Sequence, residues 1–107
     1  MKFSTTTWLI IAGVAGLGIY YLTKKPNTKP LTEEEIASMR REASLATDDQ
    51  VVKGLQNAKI LHAEITSNYL KLKSQYGDEG YANIFARVSA LLGIFEQELV
   101  KRKLQIS

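Results

Sequence analysis

Residues 51–76 read VVKGLQNAKILHAEITSNYLKLKSQY and place an apolar or aromatic side chain at alternating spacings of four and three residues. That spacing is the heptad pattern of a helix that packs lengthwise against another helix. Thr47 and Gln50 stand at the positions of a capping box before the pattern, and Gly77 after it suits a left-handed helix cap. We therefore predict a helix over residues 48–76. The heptad positions are Val51, Leu55, Ala58, His62, Ile65, Tyr69, Leu72 and Tyr76.

A second stripe with the same alternating spacing follows within a few residues. It predicts a helix over residues 78–104, for which Asp78 is a suitable N-cap. Residues 77–80 (Gly-Asp-Glu-Gly) are the only connection between two long helices, and so short a connection makes them fold back antiparallel. The predicted fold is all-α, built around a helical hairpin. The second stripe consists of Tyr81, Phe85, Val88, Leu92, Phe95 and Leu99.

A shorter helix is predicted over residues 32–45, ahead of the hairpin. Thr32 is placed to cap it, and Glu35 is placed to complete a capping box. Residues 33–35 are all glutamate, which the helix dipole favours in a first turn. Successive helical side chains point about 100° apart, so these three carboxylates are not expected to converge on a metal ion.

The hairpin carries more large apolar side chains than one stripe on each helix can bury. The additional ones must be covered either by the helix over residues 32–45 or by a second copy of the chain. We prefer the second copy, which gives a homodimeric four-helix bundle. The flanking side chains are Ile60, Leu61, Leu70, Ile84, Leu91 and Ile94. The candidate self-association seam consists of Leu55, His62, Ile65, Tyr69, Leu72, Phe85, Val88, Leu92, Phe95 and Leu99.

The N-terminal part of the chain has the composition of a membrane span. Residues 3–23 contain no charged side chain and would form roughly 31 Å of helix, close to the thickness of a bilayer's hydrocarbon core. A signal peptide is disfavoured because the apolar run ends in bulky residues 19–22 instead of a small-residue cleavage site. A buried core helix is disfavoured because the run has no polar face. We predict a transmembrane anchor over residues 1–23, with interfacial rings and small helix-packing residues at Trp8, Ala12, Gly16, Tyr20 and Tyr21.

A basic, proline-bounded tether follows over residues 24–30. Pro26 and Pro30 stop the membrane helix and hold the tether extended. Lysines after the predicted span outnumber the single Lys2 before it, so the positive-inside rule places the helical domain, residues 31–107, in the cytoplasm. The candidate headgroup contacts are Lys24, Lys25 and Lys29.

The sequence offers little for catalysis. There are no cysteines, and the single histidine, His62, lies on the heptad seam. No nucleophile–base pair, phosphate-binding glycine loop or metal-ligand cluster is recognisable, so we expect a non-enzyme with no cofactor and no metal. The 14 basic and 11 acidic residues do not form the single basic face that a nucleic-acid partner requires. Residues 101–103 are basic, which a helix C-terminus favours through its dipole, and contact with the phosphates of lipid headgroups or nucleic acid is the alternative. We prefer the first interpretation, because antiparallel packing would bring the cluster toward Asp48 and Asp49.

The layout of an N-terminal anchor, a basic tether and a cysteine-free helical hairpin resembles the small membrane proteins of tailless, lipid-containing icosahedral phages (corticoviruses and tectiviruses). The resemblance implies a scaffold, present in many copies in the internal virion membrane and linking the bilayer to the capsid shell. An accessory or assembly subunit of a cellular membrane complex is the main alternative, and a membrane-tethered adaptor is a third. The expected partners are a lipid bilayer, a second copy of the chain, and a capsid or other membrane-complex protein.

Overall fold

The computed structural model describes residues 28–104, which form three α-helices and contain no β-strand. The all-α prediction is confirmed for this part of the chain. The predicted anchor over residues 1–23 lies outside the described residues. No helix between residues 28 and 104 has both the length and the apolar character to cross a bilayer. The helices are α1 (Glu33–Leu45), α2 (Asp48–Ser67) and α3 (Tyr69–Lys101).

Threonines cap the two predicted helix starts. At the start of α1, Thr32 Oγ1 accepts a hydrogen bond from the backbone N–H of Glu35 at 3.2 Å. At the start of α2 the capping box is reciprocal. Thr47 Oγ1 accepts from the Gln50 N–H at 3.1 Å, and the Gln50 side chain accepts from the Thr47 N–H at 2.9 Å. These bonds satisfy backbone donors that a first helical turn leaves without a partner.

The chain reverses at Gly77, which interrupts α3. Its φ of 81° and ψ of 170° are not helical and belong to a region that essentially only glycine adopts. The sequence placed the end of the first hairpin helix at this glycine. We call residues 48–76 the first arm and residues 78–101 the second arm.

Aromatic contacts between the arms show their relative direction. Tyr69 and Tyr81 lie edge to face, and further from the reversal the rings of His62 and Phe85 are tilted against each other. Each pair has ring centroids 5.0 Å apart. Residues earlier in the first arm therefore meet residues later in the second arm, so the arms are antiparallel.

The first arm is broken at Asn68, so the prediction of one continuous helix over residues 48–76 is wrong. Asn68 has φ −102° and ψ 26°. Its backbone N–H and its side-chain amide both donate to the carbonyl of Glu64, at 3.0 and 2.8 Å. The Thr66 hydroxyl donates to the carbonyl of His62 at 2.7 Å. Side chains that bond nearby backbone groups compete with the helical ladder, and this run of polar residues interrupts the arm for that reason.

Tyr81 on the second arm stabilises the broken end of α2. Its hydroxyl donates to the carbonyl of Ile65 at 3.1 Å. That carbonyl is one of the last four of α2, which have no partner inside the helix. Burial raises the pKa of Tyr81, with the neighbouring Tyr69 as a second cause. The hydroxyl therefore keeps its proton, and its role as a donor, at neutral pH.

The second arm ends at Lys101, earlier than the predicted residue 104. Lys103 takes a left-handed φ of 57°. The N–H groups of Lys103 and Leu104 return to carbonyls in the last turn of the arm, each at 3.0 Å. This pair of bonds is the Schellman arrangement that closes many helices. Glycine usually occupies the left-handed position, and a lysine there gives no such signal in the sequence.

One hydrophobic core lies between the two arms and α1. Four of the six flanking side chains are buried within a single chain, and α1 packs on the second arm, which carries three of them. Cover by α1 therefore accounts for most of the wide apolar surface, while Ile60 and Leu70 remain 56% and 78% exposed. The buried core consists of Ala43, Ala46, Val51, Leu55, Ala58, Leu61, Ile65, Leu72, Ile84, Val88, Leu91, Ile94 and Phe95.

Replacing Gly77 by alanine tests the reversal. Gly77→Ala is expected to destabilise the domain by about 1–3 kcal/mol, because an L side chain is strained in this region of φ and ψ. A Cβ added there meets no atom within 4 Å, so the effect is conformational and not steric. Urea unfolding of the full chain in detergent micelles, followed by circular dichroism, measures the change.

Gly93→Ala is the matched control for this substitution. Gly93 lies in the helix of the second arm, and an added Cβ there also meets no atom within 4 Å. Alanine is favoured over glycine inside a helix by about 0.5–1 kcal/mol, so this variant is expected to be more stable. Changes of the same sign for both variants would contradict a strained reversal at Gly77.

Candidate functional site

The end of the tether is bound to the second arm. The side-chain amide of Asn83 donates to the carbonyl of Thr28 at 2.8 Å. Arg87 donates to the carbonyl of Lys29 through Nε at 3.3 Å and Nη2 at 2.9 Å, and to the carbonyl of Pro30 through Nη2 at 3.2 Å. Three consecutive tether carbonyls are therefore held by two side chains of one helix.

Arg87 also binds the first turn of α1. Its Nη1 and Nη2 pair with the two carboxylate oxygens of Glu35, and the Nη2–Oε1 distance is 3.1 Å. The Arg87 side chain is only 9% exposed. Burying a guanidinium costs free energy unless its charge is paired and its N–H groups are bonded, and here all three of its nitrogens donate. A single buried cation thus joins the tether, α1 and the second arm.

The charge of Glu35 is stabilised by this arrangement. The hydrogen bond from Arg87 lowers the pKa of the Glu35 carboxyl, and the positive charge of Arg87 and hydrogen bonds from Thr32 act in the same direction. Partial burial opposes them without reversing the shift. The carboxylate is consequently ionised, and able to pair with Arg87, throughout the neutral range.

A second arginine holds the other end of α1. Arg102 Nη2 donates to the carbonyls of Ala43 and Ser44, at 3.1 and 3.0 Å. Its Nη1 donates to the carboxylate of Asp48 at 3.0 Å, and its Nε to that of Glu98 at 2.8 Å. The cation therefore closes the C-terminal end of α1, where the helix dipole favours positive charge. The expected approach of the basic cluster to Asp48 is confirmed for Arg102.

Of the predicted anchor and headgroup residues, Lys29 lies within residues 28–104. The side chain of Lys29 is exposed, and its backbone carbonyl is one of the acceptors of Arg87. The other residues of these two groups lie outside residues 28–104. They are Trp8, Ala12, Gly16, Tyr20, Tyr21, Lys24 and Lys25.

The candidate self-association seam packs the two arms of one chain together. Five of its residues are fully buried, four are half-buried, and Tyr69 alone is exposed, at 39%. Contacts within one copy thus use most of this seam, and a dimer stays a prediction. The buried residues are Leu55, Ile65, Leu72, Val88 and Phe95. The half-buried ones are His62, Phe85, Leu92 and Leu99.

The single histidine contributes packing to the hairpin. The ring of His62 lies half-buried against that of Phe85. Within residues 28–104, no three histidine, cysteine, aspartate or glutamate side chains come together in a group that could hold a metal ion. The strongest polar constellation in this part of the chain is the one centred on Arg87.

Sequence reasoning missed Arg87, although a signal for it is present. Ile84, Leu91 and Ile94 form the flanking stripe of the second arm, and residue 87 is the missing step of its 3-4-3 spacing. A charged residue in a buried stripe needs a nearby counter-charge or carbonyl acceptors. Because Glu35 also fits a capping box, the sequence alone does not identify it as the counter-charge of Arg87.

Comparison of the chain with protein-family models, with curated proteins and with solved structures finds no match.

Arg87→Lys tests the attachment of the tether. Lysine keeps the charge but cannot donate from three nitrogens at once, so a loss of about 2 kcal/mol of stability is expected. The chain has no cysteine, so a spin label on a single Lys29→Cys substitution reports on the tether alone. The label is expected to become more mobile in the Arg87→Lys background.

Arg40→Lys provides the control for that measurement. Arg40 is exposed and makes no ion pair with any residue of the described range. Its replacement is expected to change neither the stability nor the mobility of the label. If Arg87→Lys left the label as immobile as Arg40→Lys does, Arg87 would not be what holds the tether.

The lowered pKa of Glu35 predicts a dependence of stability on pH. Its stabilising contribution is complete above the ordinary value of 4.5 and is lost as the pH falls below 4.5 through the lower value of the folded chain. Glu35→Gln removes the titrating group. The wild-type chain should therefore be more stable than Glu35→Gln at neutral pH, and the difference should shrink as the pH falls below 4.5. Thermal unfolding in micelles over this range measures it, and a difference independent of pH would contradict the pairing with Arg87.

Proposed function

We propose that this chain is a non-enzymatic, single-pass membrane structural protein, a scaffold that links a lipid bilayer to a protein shell. Residues 1–23 form the anchor, and the helical domain lies on the cytoplasmic side. Lys24 and Lys25, which follow the anchor in the sequence and precede the helical domain, contact the anionic headgroups. The bound end of the tether supports this proposal more than any other observation.

A bound tether keeps the domain close to the anchor. Only residues 24–27 separate the end of the apolar run at Thr23 from the first held carbonyl, at Thr28. A fully extended chain spans at most about 3.6 Å per residue, so these two residues are within about 18 Å of each other. A flexible adaptor would be expected to leave its tether solvated and its domain free to swing. A fixed, short connection suits a scaffold.

The position of the tether also orients the hairpin. The Thr28 Cβ lies 3.7 Å from the site of a Cβ added to Gly80, which is three residues from the reversal. The reversal end of the hairpin is therefore the end next to the bound part of the tether. The open end, where Arg102 meets Asp48, is about 30 Å away along the second arm at 1.5 Å per residue. We propose that the reversal end faces the bilayer and the open end faces the protein partner.

The identity of the shell comes from the resemblance in layout to the membrane proteins of lipid-containing phages. On that reading the bilayer is the internal virion membrane and the partner is the capsid. The main alternative is an accessory subunit of a cellular membrane complex, whose hairpin would pack on one large partner instead of on a second copy. A homodimer remains part of the scaffold proposal, with Ile60 and Leu70 as the exposed side chains available to a second copy. Sedimentation of the full chain in micelles separates monomer from dimer.

Depth-dependent fluorescence quenching tests the anchored orientation. The full chain is reconstituted into vesicles with a fluorophore on a single cysteine at Asp78 or, as the matched control, at Asp49. Both acids are highly exposed, at 81% and 76%, and they lie at opposite ends of the hairpin. Quenchers attached to lipid headgroups are expected to quench the label at residue 78 more strongly.

Alkaline carbonate extraction tests the anchor itself. The full chain should stay with the vesicles at high pH, whereas a chain without residues 1–23 should not sediment with them. Release of the full chain by carbonate would contradict an integral membrane protein. Retention together with equal quenching at both labels would uphold the anchor and overturn the orientation.

A further inference from the structure

A groove at the open end of the hairpin separates α1 from the second arm. It has a volume of about 460 Å³, and we call it the distal groove. Its two walls are helical, and they are formed by the last turns of α1 and of the second arm. The lining residues are Arg40, Arg41, Ser44, Ile94, Gln97, Glu98 and Lys101.

The distal groove is positively charged. Arg40, Arg41 and Lys101 are exposed and make no ion pair with any residue from 28 to 104. Glu98 is the one acidic side chain in its lining, and Arg102 already binds its carboxylate at 2.8 Å. Three cations therefore line the groove without an ion pair to a carboxylate of residues 28–104.

This positive charge is local, because the described part of the chain is neutral overall. Residues 28–104 contain eleven lysines and arginines and eleven aspartates and glutamates, and the excess of +3 comes from Lys2, Lys24 and Lys25. Three cations neutralise few phosphates, whereas the affinity of a nucleic-acid-binding protein depends on neutralising many. A small cluster of negative charge therefore fits the groove better than a nucleic acid does.

Exposed apolar surface adjoins the distal groove. Glu96, Gln97, Val100 and Lys101 line a second depression of about 370 Å³, so the two depressions share residues 97 and 101. The Val100 side chain is 73% exposed, and Leu45 at the end of α1 is 58% exposed. Arginine beside exposed apolar side chains is a composition enriched in protein–protein interfaces.

We propose that the distal groove binds an acidic segment of a protein partner, with carboxylates of the partner at Arg40, Arg41 and Lys101 and an apolar side chain of the partner against Val100. This goes beyond the scaffold proposal because it names the site and the chemistry of the shell-side contact. An anionic membrane is disfavoured as the occupant, since the groove lies at the end of the hairpin away from the tether. Binding at the groove can be measured without a bilayer, so its outcome is independent of the anchor.

The test measures binding of a fluorescent peptide of alternating glutamate and leucine residues to the full chain in neutral detergent micelles. Fluorescence anisotropy gives the dissociation constant. The double substitution Arg41→Glu and Lys101→Glu is expected to weaken binding about tenfold or more, since a loss of 1.4 kcal/mol is tenfold. The control is Lys59→Glu with Lys71→Glu, which reverses two exposed charges on the first arm and should leave binding unchanged. Circular dichroism confirms that both variants are folded.

Two competitors distinguish the peptide from other anions. Single-stranded DNA and micelles doped with phosphatidylglycerol are each added to the peptide complex. Weak competition by both, together with loss of peptide binding only in the groove variant, supports the proposal. Equal peptide binding by the two variants overturns it. So does tighter binding of DNA or of the anionic lipid through Arg41 and Lys101. Carbonate extraction, which does not involve the groove, reports separately on the membrane anchor of the proposed scaffold.

Discussion

The arrangement of residues 28–104 depends on the hydrogen bonds and the ion pair that the buried guanidinium of Arg87 makes. The helix α1 has a modest apolar stripe, which consists of Ile36, Met39 and Ala43. Such a stripe alone contributes little to holding a short helix in one position. Hydrogen bonds to a charged group contribute about 1.5–3 kcal/mol, more than neutral ones. The bonds of Arg87 to Glu35 and to the tether carbonyls therefore supply position as well as stability.

Two arginines, Arg87 in the second arm and Arg102 directly after it, act at the two ends of α1. Arg87 binds its first turn through Glu35, and Arg102 binds the carbonyls of its last turn. With both ends held, α1 lies across the flanking stripe of the second arm and covers it. In the sequence, the wide apolar surface suggests that a second copy covers it. Because α1 covers most of that surface, only the exposed side chains on the outside of the first arm remain for a second copy to bury. The hydrogen bonds of the two arginines and the hydrophobic core therefore stabilise the same position of α1.

The sequence predicts those features that rest on local spacing. The heptad stripes give the paired arms, Thr47 gives the capping box, and Gly77 gives the reversal. It fails where a side chain acts across the fold or against its own helix. The break at Asn68 depends on which amide and hydroxyl groups capture nearby carbonyls, and the role of Arg87 depends on carbonyls more than fifty residues away. No periodicity encodes such contacts, although an arginine within a buried stripe marks where one is needed.

The two ends of the hairpin are joined by α1, and this bears on how the scaffold would hold a partner. The end of α1 near Glu35 is fixed beside the tether, while its other end supplies Arg40, Arg41 and Ser44 to the distal groove. The opposite wall of the groove belongs to the second arm, which carries Arg87 and is followed directly by Arg102. The walls are consequently fixed relative to each other before any partner arrives, and a site fixed in advance loses less conformational freedom on binding. A contact made at the open end would in this way be coupled, through one helix and two arginine side chains, to the bound end of the tether.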